Sequence, residues 1–308
     1  MHNPILVVGS IALDSVETPF GKLDRAIGGA GTYSSFAASL LSPVRLVGVI
    51  GEDFPQDALD RLASRGVDLE GVERIPGGRS FHWAGRYEYD MSSATTLDTQ
   101  LNVFADFNPV VPESYRDSAY VFLANIQPSL QLSVLDQIDR PKMVMCDTMN
   151  FWIESARDDL LRVLSRVDVA LMNDAEIRQL TGTPNLAAAA SQVLEMGPSH
   201  VVIKKGEYGA SLVSAEGHFA LPSIPLHTVK DPTGAGDSFA GGMIGFMAWL
   251  GAHDGDALRQ ALACGTVCAS ACVEDFSLDG LSALTVEDLY RRYEALRGMV
   301  YFEELPRR

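Results

Sequence analysis

The sequence predicts an α/β fold in one domain over 1–308, with a largely parallel sheet covered by helices on both faces. Three observations carry this. Apolar runs rich in Val, Ile and Leu recur at 5–9, 44–50, 119–123, 142–146, 167–172 and 200–204. Helical segments separate most of them, the rhythm of a sheet buried on both sides. The chain has 308 residues, 47% of them hydrophobic, enough for one substantial core.

The first strand, Ile5-Leu6-Val7-Val8, follows Met1-His2-Asn3-Pro4 at once, without the basic flank and cleavage pattern of an export signal. Helices are expected at 31–41, 54–64, 154–165, 174–180, 185–196, 237–250, 254–272 and 286–297. Asp158 and Asp159 suit a helix start, Thr285 with Asp288 suits a capping box, and Gly182 and Gly251 suit helix ends. One stretch breaks the rhythm. Phe81, Trp83, Tyr87 and Tyr89 fall on odd positions, with Ser80, His82, Arg86 and Glu88 on even ones, and Leu97, Thr99, Leu101 and Val103 alternate likewise. A period of two predicts a β-hairpin with one apolar face, over about 79–105. That face suits a lid over a pocket, a homodimer contact, or packing on the core.

A net charge of −16 without a basic cluster argues against a nucleic-acid or anionic-membrane partner. The longest apolar stretch, around 241–252, is too short to span a bilayer. Four cysteines, three of them on one expected helix, form no disulfide framework. A cytoplasmic protein is expected.

The chemistry centres on Asp231-Pro232-Thr233-Gly234-Ala235-Gly236-Asp237, which runs straight into an apolar helix. Glycines allow backbone N–H groups to converge on an anion at a helix N-terminus, where the dipole also attracts a transferring phosphoryl group. Asp237 then stands where it can accept a proton from a substrate hydroxyl. A lone Gly-x-Gly would suit a simple turn and cap equally well. The whole string, continued by Ser238-Phe239, closely resembles the C-terminal signature of the ribokinase-like (PfkB) carbohydrate kinase family. Gly28-Gly29-Ala30-Gly31 with the Ala-rich 32–41 resembles that family's N-terminal glycine signature, Asn173-Asp174-Ala175-Glu176 its Asn-x-x-Glu motif, and Lys205-Gly206 with Gly209 its nucleotide-side turn.

The resemblance implies a ribokinase-like three-layer sandwich with a small β-hairpin lid. It implies an ATP- and Mg²⁺-dependent kinase acting on a hydroxyl of a sugar or sugar-like molecule. Asp237 would be the base, and Gly234, Ala235 and Gly236 would complete the anion hole. Asn173 and Glu176 would organise magnesium, through water. Lys205, Gly206, Gly209 and Thr233 would face the nucleotide, and Asp14, Gly28, Gly29, Tyr33 and Asn150 the acceptor. A monovalent cation is known among relatives and is not assigned to residues here. Many sugar kinases of the family carry Asn where this chain has Tyr33, which argues against a simple ribose or fructose acceptor. The hairpin aromatics suit stacking on a nucleobase, so a nucleoside kinase is the alternative; polyols stay open, and a nucleotide-binding regulator without turnover is the non-enzymatic one.

Independently of the family, Asp14, Asp147, Asn150, Asn173, Glu176 and Gly206 each follow an expected strand, and ligand crevices of open parallel sheets lie at the strands' carboxyl ends. Other readings are weaker. Cys264, Cys268 and Cys272 share a helix face but lack the spacing of a zinc site. His82 has the parity of an outward residue, and Trp152 suits a core position as well as a pocket wall. Gly236-Asp237-Ser238 mimics an esterase serine block, yet no His follows His253 to serve it. Neither a P-loop string nor a Gly-x-Gly-x-x-Gly after the first strand occurs.

Overall fold

In a computed structural model that describes residues 3–305, the six apolar runs become six neighbouring strands of one sheet. In chain order the strands are β1 (Ile5–Val8), β2 (Ala12–Thr18), β3 (Gly21–Gly28), β4 (Val44–Gly51), β5 (Val67–Ile75), β6 (Phe81–Tyr87), β7 (Ala94–Gln100), β8 (Tyr120–Leu123), β9 (Met143–Asp147), β10 (Val169–Asn173), β11 (His200–Lys204), β12 (Ala210–Ser214) and β13 (Gly217–Leu221). The large sheet runs β13-β12-β11-β10-β9-β8-β1-β4-β5. It is parallel from β11 to β5, and β12 and β13 add an antiparallel edge.

Alternate residues of β1 enter opposite cores. Ile5 and Val7 join the helices Ala30–Ala38, Ala235–Leu250 and Gly255–Cys272, whereas Leu6 and Val8 join Pro128–Leu135, Arg157–Leu164, Asp174–Thr181 and Leu186–Glu195. This makes three layers, and it explains why the runs are continuously apolar. The helix Ala30–Ala38 crosses Ala235–Leu250 closely: a Cβ at Gly241 would stand 2.2 Å from the Ser34 carbonyl oxygen. That contact seats the two glycine signatures side by side.

The caps form as expected. Thr285 and Asp288 make a reciprocal box, and Gly182 and Gly251 end their helices in the left-handed conformation. Two expectations change. The helix placed at 154–165 is two, Asn150–Ser155 and Arg157–Leu164, divided at Ala156, whose backbone is not helical. A helix over Pro128–Leu135 appears where none was expected.

The hairpin exists as β6 and β7, but it is half of a second sheet in the order β3-β2-β6-β7. The segment after the first strand supplies the other half, with β2 lying parallel to β6 and antiparallel to β3. A bulge between Ala84 and Gly85 interrupts the strict alternation. The Trp83 ring folds across Gly85, where a Cβ would come within 2.1 Å of it. Phe81 stacks on Phe104 with centroids 5.3 Å apart, whereas Tyr89 lies past the strand and is exposed, as are Leu97 and Leu101. The expected single apolar face is therefore divided between packing and solvent.

Candidate active site

The loop before the helix Ala235–Leu250 is fixed from below. The buried Asp231 carboxylate accepts from the N–H of Thr233 at 2.9 Å and of Ser277 at 3.4 Å. Gly234 caps the helix at φ +76°, and a Cβ there would fall 2.4 Å from the Tyr33 ring, so the backbone lies flat against the aromatic face. Ala235 N–H turns back to Pro232 and Ser238 N–H to Gly234. Among the described residues no backbone acceptor takes the N–H of Gly236, which stays available to an anion.

Asp237 sits in the first turn, and its carboxyl is pushed up to about 6 by burial and then by the nearby Asp147, with Lys204 opposing. A carboxylate so tuned is a proton acceptor near neutrality. Asp147 ends β9 and Lys204 ends β11, and the Lys204 ammonium donates to the Asp147 carboxylate. Asn173, the register partner of Lys204, caps the next helix with Glu176: its side chain accepts from the N–H of Glu176 at 2.8 Å, and Glu176 accepts from the Asn173 N–H at 2.6 Å. Burial raises the Glu176 carboxyl above its ordinary range, against the pull of Lys204. Burial disfavours charge on Lys204, but Asp147, Glu176 and Asp237 together raise its pKa. These carboxylates are hard oxygen donors in excess of local positive charge, which fits Mg²⁺ held by one or two carboxylates plus substrate phosphates.

The opposite wall comes from the small sheet. Asp14 lies in the middle of β2 and is 7% exposed. Its carboxyl is pushed up to about 7 by burial, against a hydrogen bond from the Gly29 N–H, with Asp237 and Asp231 adding to the rise. Gly28 is required here, since a Cβ would meet an Asp14 carboxylate oxygen at 1.9 Å. Tyr33 is 2% exposed, and its hydroxyl is raised well above its ordinary value by burial and by the charges of Cys272, Asp14, Asp231 and Asp237. Tyr87, at the end of β6, receives a hydrogen bond at 3.4 Å from the Thr233 hydroxyl, joining the small sheet to the glycine loop.

The structure thus gathers Asp14, Gly28, Gly29, Tyr33, Asn173, Glu176, Thr233, Gly234, Ala235, Gly236 and Asp237 around one cleft at the carboxyl edge of the large sheet. It does not bring Asn150 there: that side chain is exposed and donates to Gln179 at 2.6 Å, because the helix Asn150–Ser155 begins at it. Lys205 turns to the Ser211 hydroxyl at 3.0 Å, while Gly206 and Gly209 shape the β11–β12 turn, both at positive φ. The sequence reading placed Asp147 at a strand end and Tyr87 among the hairpin aromatics without assigning either a role, and it left Lys204 out. A charged residue closing an apolar strand, the signal that pointed to Asp147, was available for Lys204 as well. Cys264, Cys268 and Cys272 are buried free thiols, and no metal-binding group of His, Cys, Asp or Glu forms among the described residues. The Trp152 indole bonds to Asn125 at 3.0 Å, and His82 Nδ1 donates to the Leu13 carbonyl at 2.5 Å.

Comparison with known proteins identifies the family and the fold. The profile of the pfkB family carbohydrate kinases matches residues 5–282. A cytidine kinase of Thermococcus kodakarensis is 32% identical over 248 residues, 78% of this chain and 87% of that one. Among solved structures, an E. coli protein described as a ribokinase II, in complex with ATP and Mg²⁺, superposes with a TM-score of 0.78 at 21% identity, over 95% of this chain and 99% of that one. The Burkholderia thailandensis nucleoside kinase in complex with inosine gives 0.73 at 20%, over 96% and 99%. The chain belongs to the pfkB carbohydrate kinase family, and it is a kinase that phosphorylates a hydroxyl group.

Proposed function

We propose that the protein transfers the γ-phosphoryl group of ATP to a hydroxyl of a nucleoside or a related riboside, with Asp237 as the general base. The observation that carries this is a buried carboxylate of raised pKa in the first turn of a helix whose Gly236 N–H is free to meet an anion. Asp237 takes the proton as the acceptor oxygen attacks, and the helix terminus meets the charge on the transferring group. Asp14, held by Gly29, binds acceptor hydroxyls. Asn173 and Glu176 would organise Mg²⁺ through water, and Mg²⁺ would supply positive charge to the phosphate oxygens. Lys205, Gly206 and Gly209 form the turn over which the rest of the nucleotide lies, and Asn150 stands outside the acceptor contact.

Aromatic walls favour a base-bearing acceptor. Tyr33 and Tyr87 flank the glycine loop and Trp83 pairs in register with Asp14. The 32% identity to a cytidine kinase supports the same choice. In this reading the chain is one domain with the small sheet as its lid, works in the cytoplasm, and has Leu97 on β7 and Leu101 just after it as a contact for a second copy; no described helix is long and apolar enough to cross a membrane. The test is ADP release with Mg²⁺ and ATP against ribonucleosides, ribose, fructose and polyols, with and without K⁺. Turnover with nucleosides above that with free sugars is expected. A preference for free ribose or fructose would overturn the acceptor assignment.

A further inference from the structure

We infer that Lys204 supplies the side-chain positive charge that meets the terminal phosphate of ATP, and that Asp147 holds this charge in place before the nucleotide arrives; the inference rests on the kinase reading above. Lys204 is the last residue of β11, at the same edge as Asn173 and Asp147. A Cβ placed on Gly236 would lie 3.2 Å from the Lys204 Nζ, so the ammonium rests against the second residue of the anion-binding helix. The side chain is 17% exposed and its Asp147 partner 3%.

Two features distinguish this ammonium from a structural counter-ion. An ammonium has three donors, and among the described residues Nζ makes one hydrogen bond, to Asp147. The remaining donors sit beside the cleft without an acceptor. The second feature is charge. Asp14, Asp147, Glu176 and Asp237 lie at the site with Asp231 beneath its loop, and among the described residues the cation acting on Glu176 and Asp237 and paired with Asp147 is Lys204. Backbone N–H groups alone would have to draw a polyanion into this negative field. A buried ion pair stabilises a fold poorly compared with apolar residues of the same volume, so this one is better explained by its position than by stability. The neighbouring Lys205 lies on the opposite parity of the strand and reaches Ser211 instead.

The experiment is calorimetric titration of ATP and of ADP, each with Mg²⁺ and without acceptor, into wild type, Lys204→Met and Lys204→Arg. Lys204→Met is expected to weaken ATP by about ten- to hundredfold, the loss of a charge-assisted hydrogen bond, and ADP by less than about threefold. Lys204→Arg is expected to recover part of the difference. Because Lys204→Met strands a buried carboxylate, Asp147→Asn/Lys204→Met is titrated beside it and is expected to keep the selective loss of ATP. Equal losses for ATP and ADP, or normal ATP binding in the double variant, would overturn the inference, leaving Lys204 as a partner of Asp147 alone. Wild type that binds neither nucleotide would instead overturn the kinase reading on which it rests.

Discussion

The two sheets build the two halves of the cleft by different means. The large sheet is buried on both faces and offers side chains only where its strands end, at Asp147, Asn173 and Lys204. Its half of the site adds Glu176 and Asp237 from the first turns of two helices, and the main chain of a glycine-rich helix start pressed on Tyr33 and fixed by Asp231. The small sheet is largely exposed along β3 and β7 and presents Asp14 from mid-strand and Tyr87 from a strand end. The difference implies a division of labour. Under the proposed function, the closely packed glycine-rich half would hold phosphate and tolerate few substitutions, whereas side chains on a thin sheet would select among acceptors without disturbing the core.

Substitutions can break that division. The largest effect is expected from Asp237→Asn, where steady-state kinetics should show kcat reduced by about 10² to 10⁴ with ATP affinity and melting temperature nearly unchanged. Near-normal kcat would remove the base assignment. Next is pH. Asp237 and Asp14 are raised to about 6 and about 7, and both must be ionised to act, so kcat/KM should fall below about pH 7 and more steeply below about 6. A profile flat down to pH 5 would contradict this. Gly28→Ala pushes a methyl into the Asp14 carboxylate and should raise acceptor KM by about tenfold, the loss of a charge-assisted hydrogen bond, while leaving the KM for ATP alone. If the ATP constant moves more, the halves are not separate. Tyr87→Phe removes a single long hydrogen bond and should change acceptor KM by about two- to tenfold.

The smallest effect is on stability, and its sign is informative. Asp14 has a folded pKa above its usual 3.8, so its contribution is fully present below that value and is lost as pH rises through about 7. Between pH 5 and 8 the unliganded protein should lose a few °C of melting temperature that Asp14→Asn retains. Parallel curves for the two proteins would show that Asp14 is not held at a cost to the fold.

Legibility in the sequence follows the same division. Strands β1, β4 and β8 to β11 were readable because a strand buried on both faces is a continuous apolar run. The strand β3 was not, since it is mostly exposed, carries Lys22, Asp24 and Arg25, and is a strand only by virtue of β2 beside it. The glycine loop and Asp237 were readable because the string itself contains the device. Lys204 was hidden by Lys205, which has the same chemistry; only the parity of β11 tells which ammonium enters the cleft. Asn150 misled because it follows a strand, yet the helix it opens turns it outward.

The parallel pairing of β2 with β6 also sets an order in time. The partner of Leu13 in β6 lies 69 residues further along, beyond two helices and the strands β3, β4 and β5. Asp237 is made later still, roughly 220 residues after Asp14, an interval on the order of 10 to 40 s at ordinary rates of synthesis. Only until β6 is made does the nascent chain carry β2 with that edge unpaired. The strands of the small sheet are thus all made by residue 100, yet Asp14 waits for Asp237 long after that, and a chain cut short before the glycine loop holds a carboxylate with nothing to face.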